Sequence, residues 1–332
     1  MSPASLIVAF AVGPSTVAAL PPWIPSASDG TSAWVAVERA GRSGPEAVLL
    51  HHAEGMGPAR AREAFVLPCP PEAMAASGGT LWLVLPPRDT ERREAYSVRV
   101  ERHPATGAWL SVPAGRMELH PAVPAGPGVV AMAADAEGPV VQRADGSVLR
   151  LGRDGWIPEP EVSRSSALRL GSVGGRPALA DPATRAVLVR GPWGTWSASP
   201  VVMPDSGFVR LIDGTRTPVA LCERDGRAVL VHLRAGTAVP LEPFEPEPRP
   251  LAIVGCGPRI LAFTGTGTGG AAVSELDPLT GRRSVSEIVR APDSAGARVA
   301  TIVVLVAAAG ALLAALAVRR LARLKPSGAE RR

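Results

Sequence analysis

The chain has 332 residues, a formal net charge of +5, 46% hydrophobic and 4% aromatic residues, and three cysteines. That apolar content excludes a disordered chain, and three cysteines are too few for a disulfide scaffold. Six of the 35 basic residues but one of the 30 acidic ones lie in 319–332, so residues 1–318 are neutral overall and offer no basic surface for nucleic acid.

Lys325 is the sole lysine, and arginine, alanine, glycine and proline are abundant. This composition is expected of a GC-rich bacterial gene, so arginine frequency is no sign of phosphate binding. At the start, Leu6–Val12 is a short apolar run, and Val17-Ala18-Ala19 offers small residues for cleavage before Leu20. No Lys or Arg precedes Arg39. Residues 1–20 are therefore expected to be a signal peptide truncated at its basic start.

Residues 21–290 carry a repeat. Short apolar segments near proline begin at Val66, Trp109, Trp156, Trp196, Val239 and Val285, separated by 43, 47, 40, 43 and 46 residues. A second series precedes them in the same order: 47–51, 96–100, 148–151, 186–189, 228–232 and 273–276. The fifth copy resolves into four strands, Phe208–Ile212, Thr217–Leu221, Ala228–His232 and Ala238–Leu241, with Asp213-Gly214 and Asp225-Gly226 at the turns. The third copy repeats this with Asp145-Gly146 and Asp154-Gly155. Four strands recurring every 40 to 50 residues predict an all-β chain, a β-propeller of about six four-stranded blades. A seventh blade would require reading the N-terminal segment, or a split of 113–175, as a further unit.

The residues His103-Pro104-Ala105-Thr106-Gly107-Ala108-Trp109 resemble the end of a kelch repeat, where a Pro-x-Thr-Gly turn precedes a Trp strand. Asp181-Pro182-Ala183-Thr184 and Asp277-Pro278-Leu279-Thr280-Gly281 are similar to that turn, and Gly78-Gly79 and Gly174-Gly175 to the kelch double glycines. The resemblance implies a degenerate kelch-like propeller and no particular activity. Ser26–Gly30 also resembles the Asp-containing turns of sialidase propellers, with Asp29 and Gly30 adjacent where that motif spaces them.

Other motifs take structural readings. His51-His52 point to opposite faces of a strand and cannot share one metal ion, so they are expected to be surface or turn residues. Gly265–Gly270 matches G-x-G-x-x-G but precedes a strand, so a hairpin loop is expected instead of a dinucleotide cradle. The acidic, proline-rich run Glu242–Pro250 reads as an interblade connection. Cys222 and Cys256 fall in adjacent blades and are expected to be free buried thiols, with pairing the alternative. No catalytic, cofactor-binding or metal-ligating residue is assigned, and no cofactor is expected.

The C-terminal part closes the reading. Val299–Val318 is twenty residues without a charge, roughly 30 Å of helix and enough to cross a bilayer. One transmembrane α-helix is expected here, after a linker at 291–298 and before a basic tail at 319–332. The positive tail places the C-terminus in the cytoplasm and the propeller outside. The expected function is a membrane-anchored, extracytoplasmic binding or scaffolding module of the bacterial cell envelope. Its partners would be the lipid bilayer and an envelope protein, peptide or glycan, not nucleic acid. The alternative is an exported hydrolase or lyase acting on glycans, with carboxylates gathered from several blades.

Overall fold

The computed structural model describes residues 24–40, 45–54, 62–87, 92–99, 117–159, 162, 167–204, 207–224, 227–241, 251–265, 271–284 and 287–289. Among them, six four-stranded antiparallel sheets follow one another along the chain. Blade 1 is β1 (Ser26–Ser28), β2 (Ser32–Ala40), β3 (Pro45–Ala53) and β4 (Arg62–Leu67). Blade 2 is β5 (Ala73–Ser77), β6 (Thr80–Val84), β7 (Arg93–Arg99) and β8 (Met117–Val123). Blade 3 is β9 (Val129–Asp135), β10 (Gly138–Arg143), β11 (Val148–Gly152) and β12 (Gly155–Pro158). Blade 4 is β13 (Arg169–Val173), β14 (Arg176–Asp181), β15 (Ala186–Arg190) and β16 (Trp196–Val202). Blade 5 is β17 (Phe208–Leu211), β18 (Val219–Arg224), β19 (Arg227–His232) and β20 (Thr237–Pro240). Blade 6 is β21 (Leu251–Cys256), β22 (Arg259–Gly265), β23 (Ala271–Leu276) and β24 (Glu287–Val289). The protein is a six-bladed β-propeller, and the second repeat series falls on the third strand of every blade.

Packing explains the composition. The first strands converge on the axis, where both faces are covered and little room exists. Ser26-Ala27-Ser28 is buried throughout, as are Ala73–Ala76. A Cβ on Gly171 would sit 3.0 Å from Leu211 Cβ, and one on Gly255 would sit 2.6 Å from Gly214. Alanine in these strands answers this crowding. Larger side chains fill the spaces between blades: Trp34, Leu49 and Leu67 pack with Met74, Leu81 and Leu83 across blades 1 and 2. Ile212, Leu221 and Leu230 do the same with Ile253, Ala262 and Leu276 across blades 5 and 6. Each blade thus completes its core on its neighbour.

Polar contacts lock the same joints. The buried Gln142 amide of blade 3 donates to Leu168 O (2.8 Å) and accepts from Leu170 N (2.9 Å), supplying backbone partners to the first strand of blade 4. Blades 6 and 1 close the ring side by side, without exchanging a strand. There Ser28 Oγ donates to Gly255 O (2.5 Å) and Gly257 N donates to Gly30 O (2.5 Å). Gly255 N in turn donates to Asp213 O (2.7 Å), so blades 5, 6 and 1 meet in one hydrogen-bonded seam.

Several expectations need correction. The fourth strand of blade 2 is Met117–Val123, not the segment led by Trp109, which lies outside the described residues. The two Asp-Pro-x-Thr turns are not equivalent: Asp181 ends the second strand of blade 4, and Asp277 follows the third strand of blade 6. His51 and His52 lie buried in β3 instead of on the surface, because this strand is covered on both faces. Cys222 and Cys256 are free, as is Cys69. Cys222 packs between blades 4 and 5, while Cys256 Sγ donates to Thr31 O (3.4 Å) at the 6–1 joint. Burial pushes their thiols up to about 11 and about 12. The glycines of 266–270 lie outside the described residues, but the strands they join pair antiparallel, as in a hairpin. The run 242–250, residues 1–20 and the expected span at 299–318 with its flanks also lie outside. Among the described residues, no helix is long and apolar enough to cross a membrane.

Candidate functional site

The first strands begin where the interblade connections arrive, and their starts surround a cavity of about 340 Å³ on the axis. Its wall takes Ser26 from blade 1, Glu72 and Met74 from blade 2, Val130 and Met132 from blade 3, Arg169 from blade 4, and Arg210 and Asp213 from blade 5. Such a site is assembled by ring closure: no two of these blades supply it alone.

The charged groups differ in how they are held. Glu72 Oε2 accepts from Arg93 Nε at 2.7 Å and from Val129 N at 3.3 Å, so its charge is offset from outside the cavity. Asp213 Oδ1 accepts from Ser172 N and Oγ, both at 2.9 Å, and Arg210 Nη2 lies 3.6 Å from Oδ2. Burial pushes the Asp213 carboxyl above its ordinary value, against the opposing pull of Arg210 and Ser172. Arg169 and Arg210 bring two guanidiniums to the same cavity as Glu72 and Asp213, Arg210 within ion-pair distance of Asp213. Ser26 Oγ is buried and has no hydrogen-bond partner among the described residues. A buried hydroxyl without a partner costs free energy, and a bound group would satisfy it. Met74, Met132 and Val130 supply an apolar wall. The arrangement suits an anionic group with an apolar body.

None of these residues carries a functional signal in the sequence, except that Asp213 is legible as a turn residue. Among the described residues no cluster of His, Cys, Asp and Glu is arranged to hold a metal ion. His51 stacks on Trp34 at 4.0 Å between centroids and 22° between planes. Burial, aided by His52 and opposed by Asp29, lowers its pKa to about 3. The unfolded chain takes up this proton near pH 6.5 and the folded chain does not. Stability is therefore full above that pH and falls between about 6.5 and about 3, by about 1.4 kcal/mol per pH unit. Urea denaturation from pH 7 to 4 checks this: His51→Phe, which keeps a ring against Trp34, is expected to flatten the slope relative to wild type.

No family model matches the chain, and no curated protein matches it. Among solved structures, it is similar to the tricorn protease (11% identity, TM-score 0.46, covering 83% of this chain and 27% of that one). It is similar to a prolyl endopeptidase (13%, 0.41, 84% and 51%) and to virginiamycin B lyase from Staphylococcus aureus (14%, 0.39, 83% and 85%). The chain thus spans about a quarter of the tricorn protease and half of the prolyl endopeptidase. Likeness at these scores carries no argument about activity.

Proposed function

We propose that this protein is a membrane-anchored, extracytoplasmic binding module of the bacterial cell envelope, holding a carboxylate-bearing end of an envelope peptide or glycan in its axial cavity. The observation that carries the reading is the cavity itself: the Arg169 and Arg210 guanidiniums, an apolar wall, and the unpartnered Ser26 hydroxyl. A guanidinium favours a carboxylate through charge-assisted hydrogen bonds. The anchor rests on the uncharged run 299–318, and the orientation on the basic tail that follows it. A kelch-like ancestry is supported by Gly78-Gly79 and Gly174-Gly175, which turn from the first to the second strand in blades 2 and 4.

The second reading, a glycan hydrolase or lyase, draws on Glu72 and Asp213, carboxylates from two blades in one cavity. Glu72 is engaged by Arg93, and Asp213 by Ser172 and Arg210; binding is the preferred reading. Protease treatment of spheroplasts tests the location. The propeller is expected to be digested from outside while a C-terminal tag survives. A protected propeller would sink the extracytoplasmic placement.

A further inference from the structure

The face opposite the axial mouth carries a second feature, at the turns that leave the first and third strands. Trp193 sits in the Gly191-Pro192-Trp193-Gly194 turn between β15 and β16 and is 92% exposed. Its φ is 69°, a left-handed conformation shared among the described non-glycine residues only by Arg185. After a proline in a tight turn, such a position is ordinarily filled by glycine. A bulky residue there is strained, and an exposed indole returns no burial energy to offset it. Folding alone gives no reason to keep tryptophan at this place.

The turn is also firmly mounted. Gly191 N donates to Thr195 O at 2.7 Å, and Trp193 N donates to Glu137 Oε1 at 3.3 Å. Glu137 Oε2 lies 3.0 Å from the buried Arg190 Nη1 at the base of the turn. Glu137 is at the same time a wall of an open groove of about 710 Å³, which runs between blades 2 and 3. Arg150 and Arg153 line it from blade 3 as well, and Trp82 and Thr80 from blade 2. Trp193 is not itself in the wall of the groove; its backbone N–H is tied to Glu137, which is, so the turn adjoins the groove.

We infer that this groove binds a neutral oligosaccharide chain, with Trp193 as a platform for one sugar ring. Its charged lining residues balance, Asp135 and Glu137 against Arg150 and Arg153, which disfavours an acidic or a basic polymer. Carboxylates and guanidiniums both present paired hydrogen-bonding atoms suited to vicinal hydroxyls. An indole face covers the C–H face of a pyranose, burying apolar surface while the hydroxyls stay at the edge. A peptide bound as an added strand would need an open sheet edge, and this groove is lined by turns and inner strands instead.

The test titrates the full-length chain, in a non-glycosidic detergent, with cellotetraose, mannotetraose and tetra-N-acetylchitotetraose, read by calorimetry and indole fluorescence. At least one is expected to bind saturably, and Trp193→Ala and Arg153→Ala each to weaken it by about tenfold or more. Affinity should change by less than about twofold between low and high salt, and Arg210→Ala in the axial cavity should leave it unaltered. Trp193→Gly relieves the strained φ, so it is expected to keep or raise Tm while losing the sugar. Failure of all three sugars to saturate would overturn the inference. So would binding that survives Trp193→Gly, or binding confined to charged polymers and abolished by salt.

Discussion

Arg190→Met is expected to lower the unfolding free energy by about 3–5 kcal/mol, because it removes one partner of a buried ion network and leaves the others behind. The Arg190 side chain is 2% exposed, at the end of β15. Its Nη1 lies 2.7 Å from Asp135 Oδ2 and 3.0 Å from Glu137 Oε2, and its Nε lies 3.4 Å from Glu159 Oε1. Without the guanidinium, Glu159 keeps Arg150 at 3.3 Å and the Trp196 indole N–H at 3.1 Å, and Asp135 loses its cation. All three acids come from blade 3 and the arginine from blade 4, so the loss falls on the joint between blades. Urea denaturation measures it. Adding Asp135→Asn to Arg190→Met should restore part of the stability, since an amide carries no charge to leave without its cation. Equal stability of Arg190→Met and wild type would mean that the network contributes nothing.

Gly214→Ala attacks the ring at its other joint and is expected to cost about 2–5 kcal/mol, left-handed strain and overpacking together. Gly214 has a φ of +74°, and a Cβ there would overlap Ser28 Oγ and stand 2.6 Å from Gly255 O. Neither neighbour can retreat freely. Ser28 Oγ donates to Gly255 O at 2.5 Å, and Gly255 N donates to Asp213 O at 2.7 Å, within the seam of blades 5, 6 and 1. Gly174→Ala is the control. It has a φ of +59° but nothing within 4 Å of a Cβ, so strain alone should cost about 1 kcal/mol. Denaturation compares the two, and faster amide exchange in β1 and β21 should accompany Gly214→Ala only.

The repeat is legible in the sequence because the third strands carry short, mostly apolar and largely buried runs, as in Ala228–His232. Burial in such a strand also hides His51 and His52, whose polarity suggests the surface while β3 buries both. The fourth strand of blade 2 is poorly legible. Its Leu119 is 62% exposed and it carries Pro121, so apolar alternation is weaker there than around Trp109. The axial cavity leaves no local signature. Glu72, Arg169 and Arg210 come from three blades, and only the closed ring turns the starts of their strands toward one axis. Asp213 shows the limit well: Asp213-Gly214 marks the turn after β17, yet the same carboxyl is buried against Ser172. Trp193 is marked only by its Gly-Pro-Trp-Gly punctuation, which indicates a turn and says nothing of strain.

The central claim is that the axial cavity holds a carboxylate, and the most direct measurement is a comparison of peptides differing at that group alone. A library of short peptides is titrated into the full-length protein, each as the free acid and as the C-terminal amide. Binders are expected to favour the acid by about tenfold or more, Arg210→Ala and Arg169→Ala to erase the preference, and Trp193→Ala to leave it intact. Equal affinity for acid and amide, a preference that survives Arg210→Ala, or no binding by any member would contradict it.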